Sequence, residues 1–168
     1  AIKTLGFRGE ALPSIAAVSR ISFSTKTSGA DYGIRVDMVE GNIVDIKPEG
    51  IPLGTTITVQ DLFKNVPARR KFLRSMAAET SRIQVMIYRY AAAYPEIKFR
   101  LDCEGSRKFS TNGSGNLVEV ISNIYTPATA QAMLDLKNEV DSQEPIVSVE
   151  GMISSPNINR ASRNAINF

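Results

Sequence analysis

The sequence predicts an α+β fold, and three features of its 168 residues carry that expectation. Between Arg20 and Phe63, apolar and polar residues alternate in four runs separated by Gly- and Asn-containing turns, as in half-buried strands. On either side the period becomes helical, with Leu12, Ile15, Ala16 and Val18 before the strands and Phe72, Leu73, Ile83, Met86, Ile87, Tyr90, Ala91 and Tyr94 after them. A composition of 43% hydrophobic and 22% charged residues, with 11 Gly and 8 Pro, is that of an ordinary globular protein.

The first helix is short, and Pro13 fits it only within the first turn, where a missing N–H costs no intrahelical bond. Arg20 to Thr27 reads as a strand with Ile21 and Phe23 on one face. The Ser28-Gly29-Ala30-Asp31 turn leads to Tyr32 to Glu40, in which Ile34, Val36 and Met38 point one way. A Gly41-Asn42 turn follows, then Ile43, Val44 and Ile46, and Gly54 to Phe63 closes an antiparallel meander. Pro67 is placed to start one long helix that Pro95 ends. Ile97 to Cys103 and Arg107 to Thr111 form a hairpin around Glu104-Gly105. Small polar residues from Asn112 to Asn116 read as a linker, which puts a domain boundary there: 1–112 and 113–168. Beyond it come a helical pattern at Leu117, Val118, Val120, Ile121 and Ile124, strands at Ala132 to Leu136 and Ile146 to Ile153, and a loop from Ser154 to Arg163 containing Pro156.

Composition removes several classes of chemistry. No histidine is present, so His-based triads, His zinc sites and His general bases are excluded. Cys103 is the only cysteine; it cannot form an intramolecular disulfide and reads as a buried, inert thiol. No run approaches the roughly 20 apolar residues of a membrane helix. Ala1 to Leu12 includes Lys3, Arg8 and Glu10 and has no signal-peptide core, so an intracellular, cytoplasmic protein without membrane partners is expected. The net charge of +3 is modest, but its distribution is uneven. Lys64, Arg69, Arg70, Lys71 and Arg74 form a run without an acid, either a solvated helix start or a phosphate or DNA contact.

Gly6-Phe7-Arg8-Gly9-Glu10-Ala11-Leu12 is the most informative segment. Glycines three apart before a helix let successive N–H groups converge on one point, and a polyphosphate suits such a cradle. The same glycines also serve tight turns or close packing. A second block runs Gly54-Thr55, then Val59, Asp61-Leu62-Phe63, Asn65 and Pro67-Ala68-Arg69-Arg70-Lys71-Phe72. Together, in this order and at this separation, the two blocks resemble the signatures of the MutL family of DNA mismatch repair proteins, within the GHKL ATPase superfamily. The resemblance is strong up to Leu73; beyond it, the strand and helix pattern and the closing Ile166-Asn167-Phe168 are similar to the family.

This resemblance implies the remainder of a GHKL (Bergerat-type) α/β sandwich with an antiparallel or mixed sheet over 1–112. A truncated ribosomal-S5-like domain over 113–168 is implied to follow it. It implies nucleotide contacts at Gly6, Phe7, Arg8, Gly9, Glu10, Ala11 and Leu12, and at Thr55, a sheet threonine near the adenine. Taken locally, Thr55 is equally an ordinary strand residue, and Arg8 a phosphate ligand or a solvent-facing charge. Asn65 is suited to cap the helix that Pro67 begins. DNA contacts are a lesser expectation for Arg69, Arg70 and Arg74, and for Arg160 and Arg163 in a loop that could equally be plain solvated surface.

For the intact protein the resemblance implies an ATP hydrolase using ATP and Mg²⁺, homodimerising on ATP binding. Its implied partners are DNA, a MutS-type mismatch recognition protein and a downstream nuclease or helicase, in a bacterial-type, nucleoid-associated setting. The family's general-base Glu, its Mg²⁺-holding Asn and its Asp-x-Gly-x-Gly turn have no counterpart in the chain. No catalytic or metal residue is therefore assigned, tight binding of ATP is not expected, and the chain alone is expected to be inactive. A non-enzymatic DNA-binding module of a repair protein is the alternative. The two long motifs speak against another GHKL ATPase, such as a topoisomerase subunit or a chaperone.

Overall fold

The computed structural model describes residues 6–137 and 149–159, which fall into two compact units meeting at Arg74 and Ser75. The fold is mixed α/β with antiparallel sheets.

In the first unit, helix α1 (Ala11–Ala16) precedes strands β1 (Arg20–Lys26), β2 (Gly33–Val39), β3 (Asn42–Glu49) and β4 (Gly54–Gln60). They form one sheet in the order β3-β2-β1-β4, so the meander folds back and β4 pairs with β1. Register makes the sheet two-faced. Ile46 lies opposite Val36, Val36 opposite Phe23 and Phe23 opposite Ile57, giving a continuous apolar row across four strands. One residue along, Lys47 faces Arg35, Arg35 faces Ser24 and Ser24 faces Thr56, a polar row on the other face. Ile46 and Ile57 remain 60% and 45% exposed while Ile21 on the same face is 2% exposed, so this unit covers the apolar face around Ile21 and leaves its outer strands open. The edge strand β3 carries an irregularity, its pairing moving from Asp45 to Ile43 and leaving Val44 extra, and contains Pro48.

The polar face holds an ion-pair group. Arg35 grips Asp37 with Nε–Oδ2 at 2.9 Å and Nη2–Oδ1 at 3.1 Å, Glu49 lies 3.6 Å from Arg35, and Ser24 donates to Glu49 at 2.7 Å. The hydrogen bond from Arg35, and then that from Ser22, hold the Asp37 carboxyl below its usual range. Asp37 stands opposite Asp45, and Arg35 and Lys47 offset that like-charge pairing.

The expected single helix from Pro67 to Pro95 is in fact two: α2 (Pro67–Arg70) and α3 (Met76–Ala93). Ser75 causes the break. It is extended, with ψ 154°, and its side chain accepts the Ala78 N–H, restarting the helix as an N-cap. Strand β4 also stops three residues before the expected Phe63, because Asp61 and Phe63 turn into the left-handed region at φ 55° and 61°.

The second unit contains α3, the hairpin β5 (Arg100–Cys103) and β6 (Ser106–Ser110), α4 (Leu117–Ile124), α5 (Pro127–Gln131) and the hairpin β7 (Met133–Lys137) and β8 (Glu150–Ser154). Its core is Ala91, Phe109 and Val120, with Ile87, Tyr88, Phe99, Leu101 and Ile124 around them. Tyr88 meets Phe109 edge-on, with centroids 4.7 Å apart. The β5–β6 turn uses Glu104 and Gly105, both at positive φ, as the sequence pattern indicates. Cys103, expected to be buried, is half-buried at the end of β5, with its sulfur 3.5 Å from the Thr80 hydroxyl.

Within the otherwise exposed 112–116 stretch, Gly113 lies close against the backbone at Lys98. Gly113 has φ +72°, and a Cβ there would stand 2.9 Å from the Lys98 nitrogen. Next to it, the buried Thr111 hydroxyl accepts the Phe99 N–H at 2.9 Å. Helix α5, which the periodicity does not indicate, starts from a Thr126 cap on the Thr129 N–H with Pro127 in its first turn. The expected strand residues 146–148 and the 160–168 segment, including Ile166-Asn167-Phe168, lie outside the described residues.

Candidate functional site

Residues Gly6 to Glu10 run as exposed, irregular chain directly into α1. Gly9 has φ +66°, a conformation that side chains resist, so this position requires glycine. Glu10 occupies the N-cap position of α1 without a side-chain cap, leaving the first-turn amides uncovered by one. Pro13 lies in the first turn, as its missing donor dictates. Arg8 is exposed, Phe7 is 65% exposed and Leu12 is 43% exposed. Within α1 only Ala16 is buried.

The second motif holds the far end of this helix. Three consecutive carbonyls leave α1 and each meets a donor. Asn65 Nδ2 donates to Ala17 O at 3.0 Å, the Phe63 N–H to Val18 O at 2.7 Å and the Glu40 N–H to Ser19 O at 3.1 Å. Buried Ser19 turns its hydroxyl back to Ile15 O at 2.6 Å. Asn65 caps nothing in α2: that helix has Val66 at its N-cap position and no side-chain cap, and the Asn65 side chain donates instead to Ala17 O. The left-handed Asp61 and Phe63 are the backbone cost of this contact, about 1 kcal/mol or more apiece for residues other than glycine. Lys64 supports the turn, its N–H on Asp61 O at 3.0 Å and its ammonium 3.7 Å from the Asp61 carboxylate.

Thr55 is exposed on β4, on the same face as the apolar row. Its hydroxyl lies 2.8 Å from that of Thr25, the residue opposite it on β1. Sequence reasoning missed Thr25; its signal was the alternation that places it two residues beyond Phe23. Arg69 and Arg70 lie exposed in α2, and Arg74 is exposed beyond it. The structure thus brings the Asn65 motif to the end of the Gly6–Leu12 helix and pairs Thr55 with Thr25. Arg160 and Arg163 lie outside the described residues. Among the described residues, no three His, Cys, Asp or Glu side chains gather where they could hold a metal, and no helix is long and apolar enough to cross a membrane.

No family model matches the sequence. Among curated proteins, the chain is 42% identical over 167 residues to the DNA mismatch repair protein MutL of Desulforamulus reducens, covering 99% of this chain and 26% of that protein. It is 42% identical over 165 residues to the MutL of Streptococcus sanguinis, covering 98% and 25%. The chain therefore spans about a quarter of the length of the curated relatives it matches. Among solved structures, the Aquifex aeolicus MutL ATPase domain complexed with ADP is similar over 77% of this chain and 52% of its own, with TM-score 0.70 and 31% identity. The N-terminal domain of a DNA repair protein is similar over 97% and 54%, with TM-score 0.75 and 26% identity.

Proposed function

The chain belongs to the MutL family of DNA mismatch repair proteins, and from that premise we propose that it supplies one wall of the ATP site of a mismatch repair ATPase. The observation that carries this reading is the Gly6–Leu12 segment, exposed and uncapped, with a left-handed Gly9 immediately before α1. Backbone amides from Gly6, Phe7, Arg8, Gly9, Glu10, Ala11 and Leu12 bind the nucleotide's phosphates, and Thr55, oriented by Thr25, approaches its base. The similarity to a domain that holds ADP supports the same assignment.

In the whole protein, ATP binding drives homodimerisation and couples mismatch recognition by a MutS-type partner to a downstream nuclease or helicase in the cytoplasm. Mg²⁺, when bound, neutralises the triphosphate. The family's Mg²⁺-holding Asn has no counterpart in this sequence, so no residue here is assigned to the metal. What these residues do is bind and orient; the water-activating base lies elsewhere in the protein. Residues 1–112 belong to the GHKL ATPase domain and 113–168 begin an S5-like domain. DNA contacts at Arg69, Arg70 and Arg74, and separately at Arg160 and Arg163, which lie outside the described residues, are a secondary part of this reading and rest on the family resemblance.

Two measurements test this. In the full-length protein, Gly9→Val, which must force a side chain into φ +66°, is expected to abolish ATP binding while the fold survives, as read by isothermal titration and circular dichroism. The 168-residue chain alone is expected to show no ATP hydrolysis. Turnover by the purified chain that disappears with Gly9→Val overturns the division of labour proposed.

A further inference from the structure

We propose that Asn65 is a positioning residue for the nucleotide: it holds the far end of α1 so that Gly6–Leu12 meets the phosphates in one fixed orientation. The inference rests on the reading of Gly6–Leu12 as the nucleotide segment. Helix α1 has six residues and buries only Ala16, so apolar packing alone gives it little grip on the sheet. What fixes its direction is the set of carbonyls at 17, 18 and 19, met by Asn65, Phe63 and Glu40. Two of those three donors come from Asp61–Asn65, a turn that accepts left-handed conformations at Asp61 and Phe63 to make the contact. The third donor, Glu40, sits at φ 51° in the β2–β3 turn.

Asn65 is the only side chain among these donors. It stands two residues before Pro67, where α2 with Arg69 and Arg70 begins. A shift of α1 on nucleotide binding therefore pulls on the segment that leads into α2. The Asp61–Asn65 part of the second motif acts through α1 and does not itself touch nucleotide.

The test uses the full-length protein and ATP. Asn65→Asp keeps the side chain's shape but replaces the donor nitrogen with an acceptor oxygen that faces the Ala17 carbonyl. Expected are a dissociation constant and KM for ATP about tenfold higher, an unchanged kcat and a nucleotide-free melting temperature within about 2 °C of the parent's. A uniformly structural role would move the melting temperature and kcat instead. In the unmodified protein, ATP is expected to slow amide exchange in residues 61–66 as well as in 6–17. This second measurement decides the matter should Asn65→Asp not fold. Equal ATP affinity in Asn65→Asp and parent overturns the proposal. So does exchange at 61–66 that ignores ATP while 6–12 responds. Failure of the unmodified protein to bind ATP would sink the nucleotide reading itself, a result distinct from either.

Discussion

The hydroxyls of Thr25 and Thr55 lie 2.8 Å apart across the β1–β4 pair, on the face of the sheet's apolar row and two residues along from Phe23 and Ile57. A hydroxyl whose rotation is set by a neighbour presents one lone pair or proton in a defined direction. Thr55→Val is expected to weaken ATP binding by about tenfold and Thr25→Val by about threefold, since the second variant removes only the orienting partner. Thr55 is exposed and Thr25 half-buried, so unfolding free energies should stay within about 0.5 kcal/mol for Thr55→Val and about 1 kcal/mol for Thr25→Val. Titration of each variant with ATP checks the order; equal losses would assign Thr25 a direct contact.

Asp37 gives the protein an acid-sensitive element. Its folded carboxyl is held below the usual 3.8, first by the Arg35 hydrogen bond and then by Ser22. A depressed folded pKa contributes stability that is complete above the unfolded pKa and is lost as pH falls through the folded one. Urea unfolding from pH 5 downward should therefore show stability declining below about pH 4. Asp37→Asn should remove part of that decline and leave the slope above pH 5 unchanged. Superimposable acid limbs for parent and variant would refute the assignment.

The helix break at Ser75 can be read directly. Ser75→Ala removes the acceptor for the Ala78 N–H and is expected to cost about 1 kcal/mol, whereas Ser75→Asp keeps a cap and should be close to neutral. Thermal unfolding of the pair, compared with the parent, measures the difference. A Ser75→Ala variant as stable as the parent would mean that packing of α3 on the β5–β6 hairpin alone starts the helix there.

Where one local signal decided the backbone, the sequence was legible. Alternation placed β1 to β4 within a few residues, and Glu104-Gly105 marked the β5–β6 turn because Gly105 accepts positive φ freely between two alternating runs. It was less legible where a side chain chose among partners. Ser75 and Thr126 are ordinary serine and threonine until their caps form, so α3 read as a continuation of α2 and α5 did not register. Asn65 illustrates the limit for the site: its position before Pro67 suggests a cap, yet the Ala17 carbonyl, 48 residues away in sequence, claims the amide. The glycine segment carried the family resemblance, but Thr25 became visible only through strand register.

The two borders of the β3-β2-β1-β4 sheet differ in what they offer a neighbour. Along β3, Pro48 lacks an N–H, Val44 interrupts the spacing, and Asp45 and Lys47 add charge. Along β4, Gly54-Thr55-Thr56-Ile57-Thr58-Val59-Gln60 has no proline, charge or bulge. An incoming strand meets a continuous ladder on one side and a guarded margin on the other. The sheet has a growing end and a finished end, and Thr55 stands on the strand that would be joined.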